Sequence, residues 1–233
     1  MNLFDINTLA VLDIETVGVC GTFEELKDKY PRLASLWTER SKWLKDRYNN
    51  NTELSVSELW ELKSGLHAEF AKVICITFGV FDEAGGPHKL VSYSGDDEVE
   101  ILTSANTVLN RIHSQGRVIA GHTIERFDLP FMWKRMLVNK IRPAEVLTTW
   151  NKKPWQLTHF DVAKFWSGGA WQEGFTSLDT MSALFDVKSP KAEMQASRVH
   201  NIYWMEGGIE KIKDYCEGDV TVTMDVIKIL SDI

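Results

Sequence analysis

Five side chains, spread along a chain of 233 residues, have the types and spacings of a metal-assisted hydrolytic site. Asp13 and Glu15 stand two apart in Leu9-Ala-Val-Leu-Asp-Ile-Glu-Thr16, and Asp128 follows Phe127 in Gly121-His-Thr-Ile-Glu-Arg-Phe-Asp-Leu-Pro130. Tyr215 precedes Asp219 by four in Tyr215-Cys-Glu-Gly-Asp219. Four carboxylates brought together repel one another and raise one another's pKa unless cations neutralise them. Such a cluster therefore implies hard divalent metals with oxygen ligands. Two ions about 3.5–4 Å apart can activate a water and stabilise the leaving oxygen of an in-line displacement at phosphorus.

Each motif needs an element to aim it. In a strand, the two-residue spacing puts Asp13 and Glu15 on one face and Leu12 and Ile14 on the other, whose burial would fix the register. Taken alone, Asp-x-Glu also fits an edge strand with one wetted face. The second motif follows the apolar Arg117-Val-Ile-Ala120 and a turn at Gly121, and then starts a helix with Asp128 and Pro130 in its first turn. Both are ordinary helix-start residues, so capping alone could account for Asp128. Phe127 and the Leu-Pro-Phe-Met run behind Asp128 would seat that helix start against a core. In the third motif, an amphipathic helix over residues 208–230 stacks Tyr215 and Asp219 on one face.

In this order, the three stretches resemble the Exo I, Exo II and Exo III motifs of the DEDD superfamily of 3'-5' exonucleases. The likeness is to its DEDDy branch, and within it to the proofreading exonuclease domain of family B DNA polymerases and its stand-alone relatives. The Tyr four positions before Asp219 selects that branch, since the DEDDh branch has a His five positions before, where this chain has Asp214. Glu69-Phe-Ala-Lys-Val-Ile-Cys-Ile-Thr77 looks like the family's second strand with its lead-in, and residues 178–219 look like its C-terminal helices. Residues 19–68, approximately, have no clear counterpart.

The resemblance implies a metal-dependent 3'-5' exonuclease that removes nucleoside 5'-monophosphates from single-stranded or frayed 3' ends, of DNA more than RNA, with two Mg2+ or Mn2+ ions. Asp13 would bridge both ions, Glu15 and Asp219 would hold the ion carrying the attacking water, and Asp128 would reach the second ion through water. Tyr215 would orient the attacking water. With a reference pKa near 10, its phenol is a neutral positioner rather than a strong base. Thr16 and Thr123 are the implied substrate contacts, and Phe127 is a candidate ring for a base to stack on. Thr123 stands where the family usually has Asn, and a hydroxyl lacks the two donors of an amide. His122 beside it reads as a partly buried turn residue. The alternative is an inactive ribonuclease H-like module that binds nucleic acid or protein. Retention of four carboxylates and the Tyr favours the enzyme, because a scaffold has no need to bear their repulsion.

Apolar patterning predicts strands over residues 8–14, 73–81, 89–93 and 118–120, with a turn at Gly85-Gly-Pro87 and helices over 97–113, 176–184 and 208–230. This fits an α/β fold, the ribonuclease H-like mixed sheet flanked by helices that the resemblance implies, with a helical insertion after strand 1. The insertion shows helical apolar spacing at Leu26, Tyr30, Leu33, Leu36 and Trp37 and again at Leu59, Leu62 and Leu66, with a break at Asn49-Asn-Asn51. It reads as a packing appendage rather than a cover for the site.

A hydrophobic content of 44% with no linker-like run predicts a single domain over residues 1–233. No apolar run is long enough to span a bilayer and the first residues lack signal-peptide blocks, so a cytoplasmic protein with no membrane partner is expected. Cys20, Cys75 and Cys216 are too widely spaced for a C-x-x-C metal or disulfide framework. A net charge of -7 argues against broad phosphate neutralisation along a duplex. Grip on a strand should instead be local, through stacked bases. Thr149-Trp-Asn-Lys-Lys-Pro-Trp155 interleaves aromatic and basic residues, and reads as a surface loop ahead of a strand guide. With no polymerase domain in these residues, activity is expected in trans, in DNA repair or RNA turnover.

Overall fold

Among the described residues, five strands form one mixed sheet in the order β3-β2-β1-β4-β5. They are β1 (Leu9–Gly18), β2 (Ala71–Val80), β3 (Lys89–Ser94), β4 (Val118–Gly121) and β5 (His159–Asp161). β1 runs antiparallel to β2 and parallel to β4, β3 is antiparallel to β2, and β5 is parallel to β4. The computed structural model describes residues 4–47, 53–82, 88–153, 156, 159–169, 176–188 and 194–232. The predicted turn at 85–87 and the break at 49–51 lie outside them.

β1 is central rather than an edge strand, which disposes of the wetted-edge alternative. Its alternation is satisfied on both faces. Ala10, Leu12 and Ile14 join the core cluster that includes Leu102, Leu109, Met132 and Met136, while Leu9 and Val11 join the one that includes Val220, Met224 and Ile227. The first cluster draws on α4 (Glu98–Ser114) and α5 (Asp128–Val138), and the second on α9 (Ile209–Ser231). With period-two alternation, Asp13 and Glu15 continue the face of Leu9 and Val11, toward α9. The close approach of α9 to the sheet depends on Gly79 of β2. A Cβ there would lie 2.5 Å from Met224 Sδ and 2.7 Å from Val220 Cγ1.

β1 runs four residues past the predicted end, and its register shifts between Glu15, opposite Cys75, and Thr16, opposite Val73, which leaves Ile74 of β2 as the extra residue. The bulge lies on β2, and β1 stays paired through it to Gly18. α4 begins at Asp97, which accepts the Val99 and Glu100 amides. α5 is fastened to α4 and β2 by a buried ion pair, in which Arg135 donates to both oxygens of Glu98 while Glu98 also accepts the Val73 amide.

The insertion folds as α1 (Phe23–Lys29), α2 (Pro31–Arg47) and α3 (Val56–Lys63), followed by a 3-10 turn, Ser64–Leu66. It has a core of its own, centred on Trp37 and Trp60 packed edge to face at 5.2 Å, with Leu26, Leu59 and Phe70. Not all of its predicted apolar stripe is core: Tyr30, Leu36, Leu62 and Leu66 are exposed. Among the described strands and α-helices, three escaped the sequence pattern: β5, α6 (Val162–Trp166) and α8 (Val199–Glu206). α7 (Leu178–Leu184) occupies the later part of the helix predicted over 176–184. All three cysteines are buried and free. Among the described residues, no helix is long and apolar enough to cross a membrane.

Candidate active site

The middle of β1 and the middle of α9 pack against each other. There Asp13, Glu15 and Asp219 each offer a carboxylate oxygen, and the three oxygens lie within 4.8 Å of one another. Tyr215, one helical turn before Asp219, is buried and its hydroxyl is hydrogen-bonded to Asp219. Asp214, where the other branch would carry His, points to solvent. Cys216 adds a contact the sequence did not suggest, its Sγ lying 3.5 Å from Asp13 Oδ2 and 3.6 Å from the Asp13 carbonyl oxygen.

Asp128 opens α5, but the cap position itself belongs to Phe127, which makes no side-chain capping bond. The Asp128 carboxylate reaches across to β1 instead, where Oδ1 accepts the Ile14 amide at 3.1 Å. Capping therefore does not account for this residue, which is only 3% exposed.

Burial dominates the electrostatics. It holds the Asp13 carboxyl well above the usual carboxylate range, and the charges of Asp128, Glu15 and Asp219 push the same way. Burial also lifts Asp128 to about 7 against the opposing pull of backbone amides, that of Ile14 among them. The Tyr215 phenol is raised far above its ordinary value, first by burial and then by Asp219 and Glu15. Crowded hard oxygen donors that resist ionisation fit a divalent cation, whose charge would relieve the repulsion.

The second motif is held by Asp161, which the sequence pattern did not single out. This residue, 3% exposed, ends β5 and caps α6. It accepts the Thr123 and Glu125 amides at 3.1 Å each, and those of Ala163 and Lys164 at 3.0 and 3.2 Å. An Asp just ahead of Val-Ala-Lys-Phe-Trp is an N-cap signal, and that was its one legible sign. The loop is tight enough that Thr123 sits at φ 67°. A β-branched residue is poorly suited to this left-handed region, which Asn tolerates. His122 is half-buried as expected, with Nε2 2.9 Å from the Thr176 carbonyl and Nδ1 3.1 Å from Thr123 Oγ1.

One cleft of about 410 Å³ is lined by Asp13, Glu15, Asp128, Tyr215 and Asp219 together with Thr16, Thr123 and Phe127. Its opposite wall includes Leu62, Gly65 and Leu66, so the insertion shapes the site and is more than the packing appendage expected. Thr16, expected to contact a terminal nucleotide, spends its hydroxyl on that wall, donating to the Gly65 carbonyl at 2.7 Å. Glycine is required at 65 because a Cβ would stand 2.9 Å from the Thr16 carbonyl oxygen. Residues 149–153 do not line the cleft, and Trp150 is 76% exposed, as a surface loop would leave it. Pro154 and Trp155 lie outside the described residues.

Residues 64–227 match a family described as a predicted 3'-5' exonuclease related to the exonuclease domain of PolB. The matched stretch includes Asp128, Tyr215 and Asp219, while Asp13 and Glu15 precede it. No curated protein sequence matches the chain. Among solved structures, the family B DNA polymerase from the hyperthermophilic archaeon Pyrobaculum calidifontis is similar with a TM-score of 0.55 at 14% identity, over 95% of this chain and 24% of that one. The chain thus spans about a quarter of that polymerase, and a likeness at this identity speaks for the ribonuclease H-like fold. Because the family match extends over more than half of its length, the chain belongs to the family of predicted 3'-5' exonucleases related to the exonuclease domain of PolB.

Proposed function

We propose that this protein is a metal-dependent 3'-5' exonuclease that removes nucleoside 5'-monophosphates from single-stranded or frayed 3' ends, of DNA in preference to RNA. The observation that carries this reading is the convergence of the Asp13, Glu15 and Asp219 oxygens within 4.8 Å. Tyr215 and Asp128 line the same cleft. Mg2+ or Mn2+, held by Asp13, Glu15 and Asp219 with a second ion near Asp128, would supply charge neutralisation at the scissile phosphate and a more acidic water.

The remaining roles fall to the chain itself. Tyr215, kept protonated by burial and bound to Asp219, is a hydrogen-bonding group that orients the attacking water and does not act as a base. Cys216 and the Ile14 amide steady the Asp13 and Asp128 carboxylates. Phe127 offers a ring to a base at the cleft mouth. Such local grip suits a chain of net charge -7, which has little to offer the length of a duplex.

A small chromogenic diester, thymidine 5'-(p-nitrophenyl phosphate), tests the chemistry without a strand. The expected result is nitrophenol release with Mn2+, none with EDTA, and loss of the metal-dependent rate in Asp13→Ala. Hydrolysis that survives EDTA, or survives Asp13→Ala, would overturn the mechanism. The absence of hydrolysis with either metal would return the chain to the binding-module reading.

A further inference from the structure

An enzyme that releases one nucleotide at a time needs a cleft for the terminal unit and an open path for the rest of the strand. The active-site cleft meets the first requirement, and a path for the strand has meaning only if the exonuclease reading holds. At Leu66 and Phe127 the cleft adjoins a second depression of about 150 Å³, which shares those two residues. It runs between the insertion and α5, and its ionisable lining is Arg40, Arg126, Lys134, His67 and Glu69.

The charge here is opposite to that of the chain as a whole. Three cationic side chains face one carboxylate, and Glu69 is engaged by Lys134 at 2.7 Å. Burial lowers the His67 pKa, which keeps the imidazole neutral. The lining as a whole is therefore net positive, beside a cluster of acids. The Arg40 guanidinium lies 4.9 Å from the centre of the Trp43 ring, and Trp43 is 43% exposed on the same helix. A flat cation backed by an exposed ring can take both a phosphate and a stacked base.

We propose that this depression is the path of the single strand upstream of the 3' end, with phosphates over Arg40 and Arg126 and bases against Phe127 and Trp43. The insertion then confers a preference for strands several nucleotides long. A duplex gains less, because its stacked, paired bases are not available to the rings.

The test compares binding of fluorescein-labelled oligothymidylates of three and twelve nucleotides, followed by anisotropy with Ca2+ in place of Mg2+. The longer strand should bind wild-type protein about tenfold tighter or better, with a salt slope of about 0.7 per phosphate contact. Arg40→Glu combined with Arg126→Glu should erase that gain and flatten the slope. Arg40→Lys, which keeps the charge, should retain the slope. A length gain that survives the double substitution, or that is absent from the wild type, overturns the proposal. The two readings fail separately. A groove-dependent length gain without diester hydrolysis removes the exonuclease and leaves only a single-strand-binding groove, whereas hydrolysis without a length gain removes only the path.

Discussion

The Asp128 carboxylate accepts the amide of Ile14 at 3.1 Å, so the acid of the second motif is tied to the peptide that lies between the two acids of the first. The contact joins residues 114 positions apart and is buried. Asp128→Asn keeps an oxygen for Ile14 and removes a charge whose carboxyl is pushed up to about 7. At about pH 8, the metal-free variant should melt above wild type while nuclease activity falls roughly a hundredfold or more. Asp128→Ala should melt below wild type, because an unsatisfied buried amide costs about 1–3 kcal/mol. Thermal melts and rates on one strand decide it, and equal melting of the Asn and Ala variants would contradict it.

The crowded acids make stability depend on pH in a definite direction. Asp13 and Asp128 are raised in the folded protein, so the folded state holds their protons more tightly than the unfolded chain, whose Asp pKa is about 3.9. Their contribution is fully present below that value and is lost as pH rises through the folded pKa, about 7 for Asp128. Metal-free protein should therefore lose melting temperature between about pH 5 and pH 8. Mn2+ should restore it near pH 8 and do little near pH 5, where protons compete for the ligands. A flat profile, or the same metal effect at both ends, would count against the cluster.

Removing the Tyr215 hydroxyl should separate positioning from metal binding. Tyr215→Phe should lower kcat by roughly a hundredfold, as misplacement of a reacting group does, with KM and metal affinity nearly unchanged. Because burial keeps the phenol protonated, any alkaline limb in the rate profile belongs to another group and should persist in the Phe variant. Disappearance of that limb would make the Tyr an acid–base group after all.

Thr123 sits at φ 67°, and its amide is held by Asp161 at 3.1 Å. Left-handed backbone at a non-glycine residue costs about 1–3 kcal/mol. Thr123→Asn should recover part of that and raise the melting temperature by about 2–4 °C. It should also lower KM for a strand, since the amide brings two donors to the cleft. Unchanged melting would show that the loop bears no strain at this residue.

The chemistry was legible where a single element carries it. A strand places Asp13 and Glu15 on one face, and a helical turn brings Tyr215 over Asp219, so each pair could be read locally. The positions of Asp161 and of the insertion wall could not. Asp161 lies on a strand of three residues, too short to show alternation, and serves an amide 38 positions earlier. Leu62 and Leu66 carry helical apolar spacing that reads as core, yet both line the cleft, because nothing local records which neighbour a helix face will meet. The strand end was misjudged for a related reason, since how far β1 stays paired beyond Glu15 is a property of the pair β1 and β2.

The most direct measurement follows 5'-labelled single-stranded DNA and RNA of matched sequence with Mg2+, Mn2+ or EDTA, using wild-type protein and Asp13→Ala. A metal-dependent ladder should appear that shortens from the 3' end one nucleotide at a time, faster on DNA, and is absent from the variant. Internal cuts, shortening from the 5' end, or an equal ladder from Asp13→Ala would contradict the exonuclease assignment.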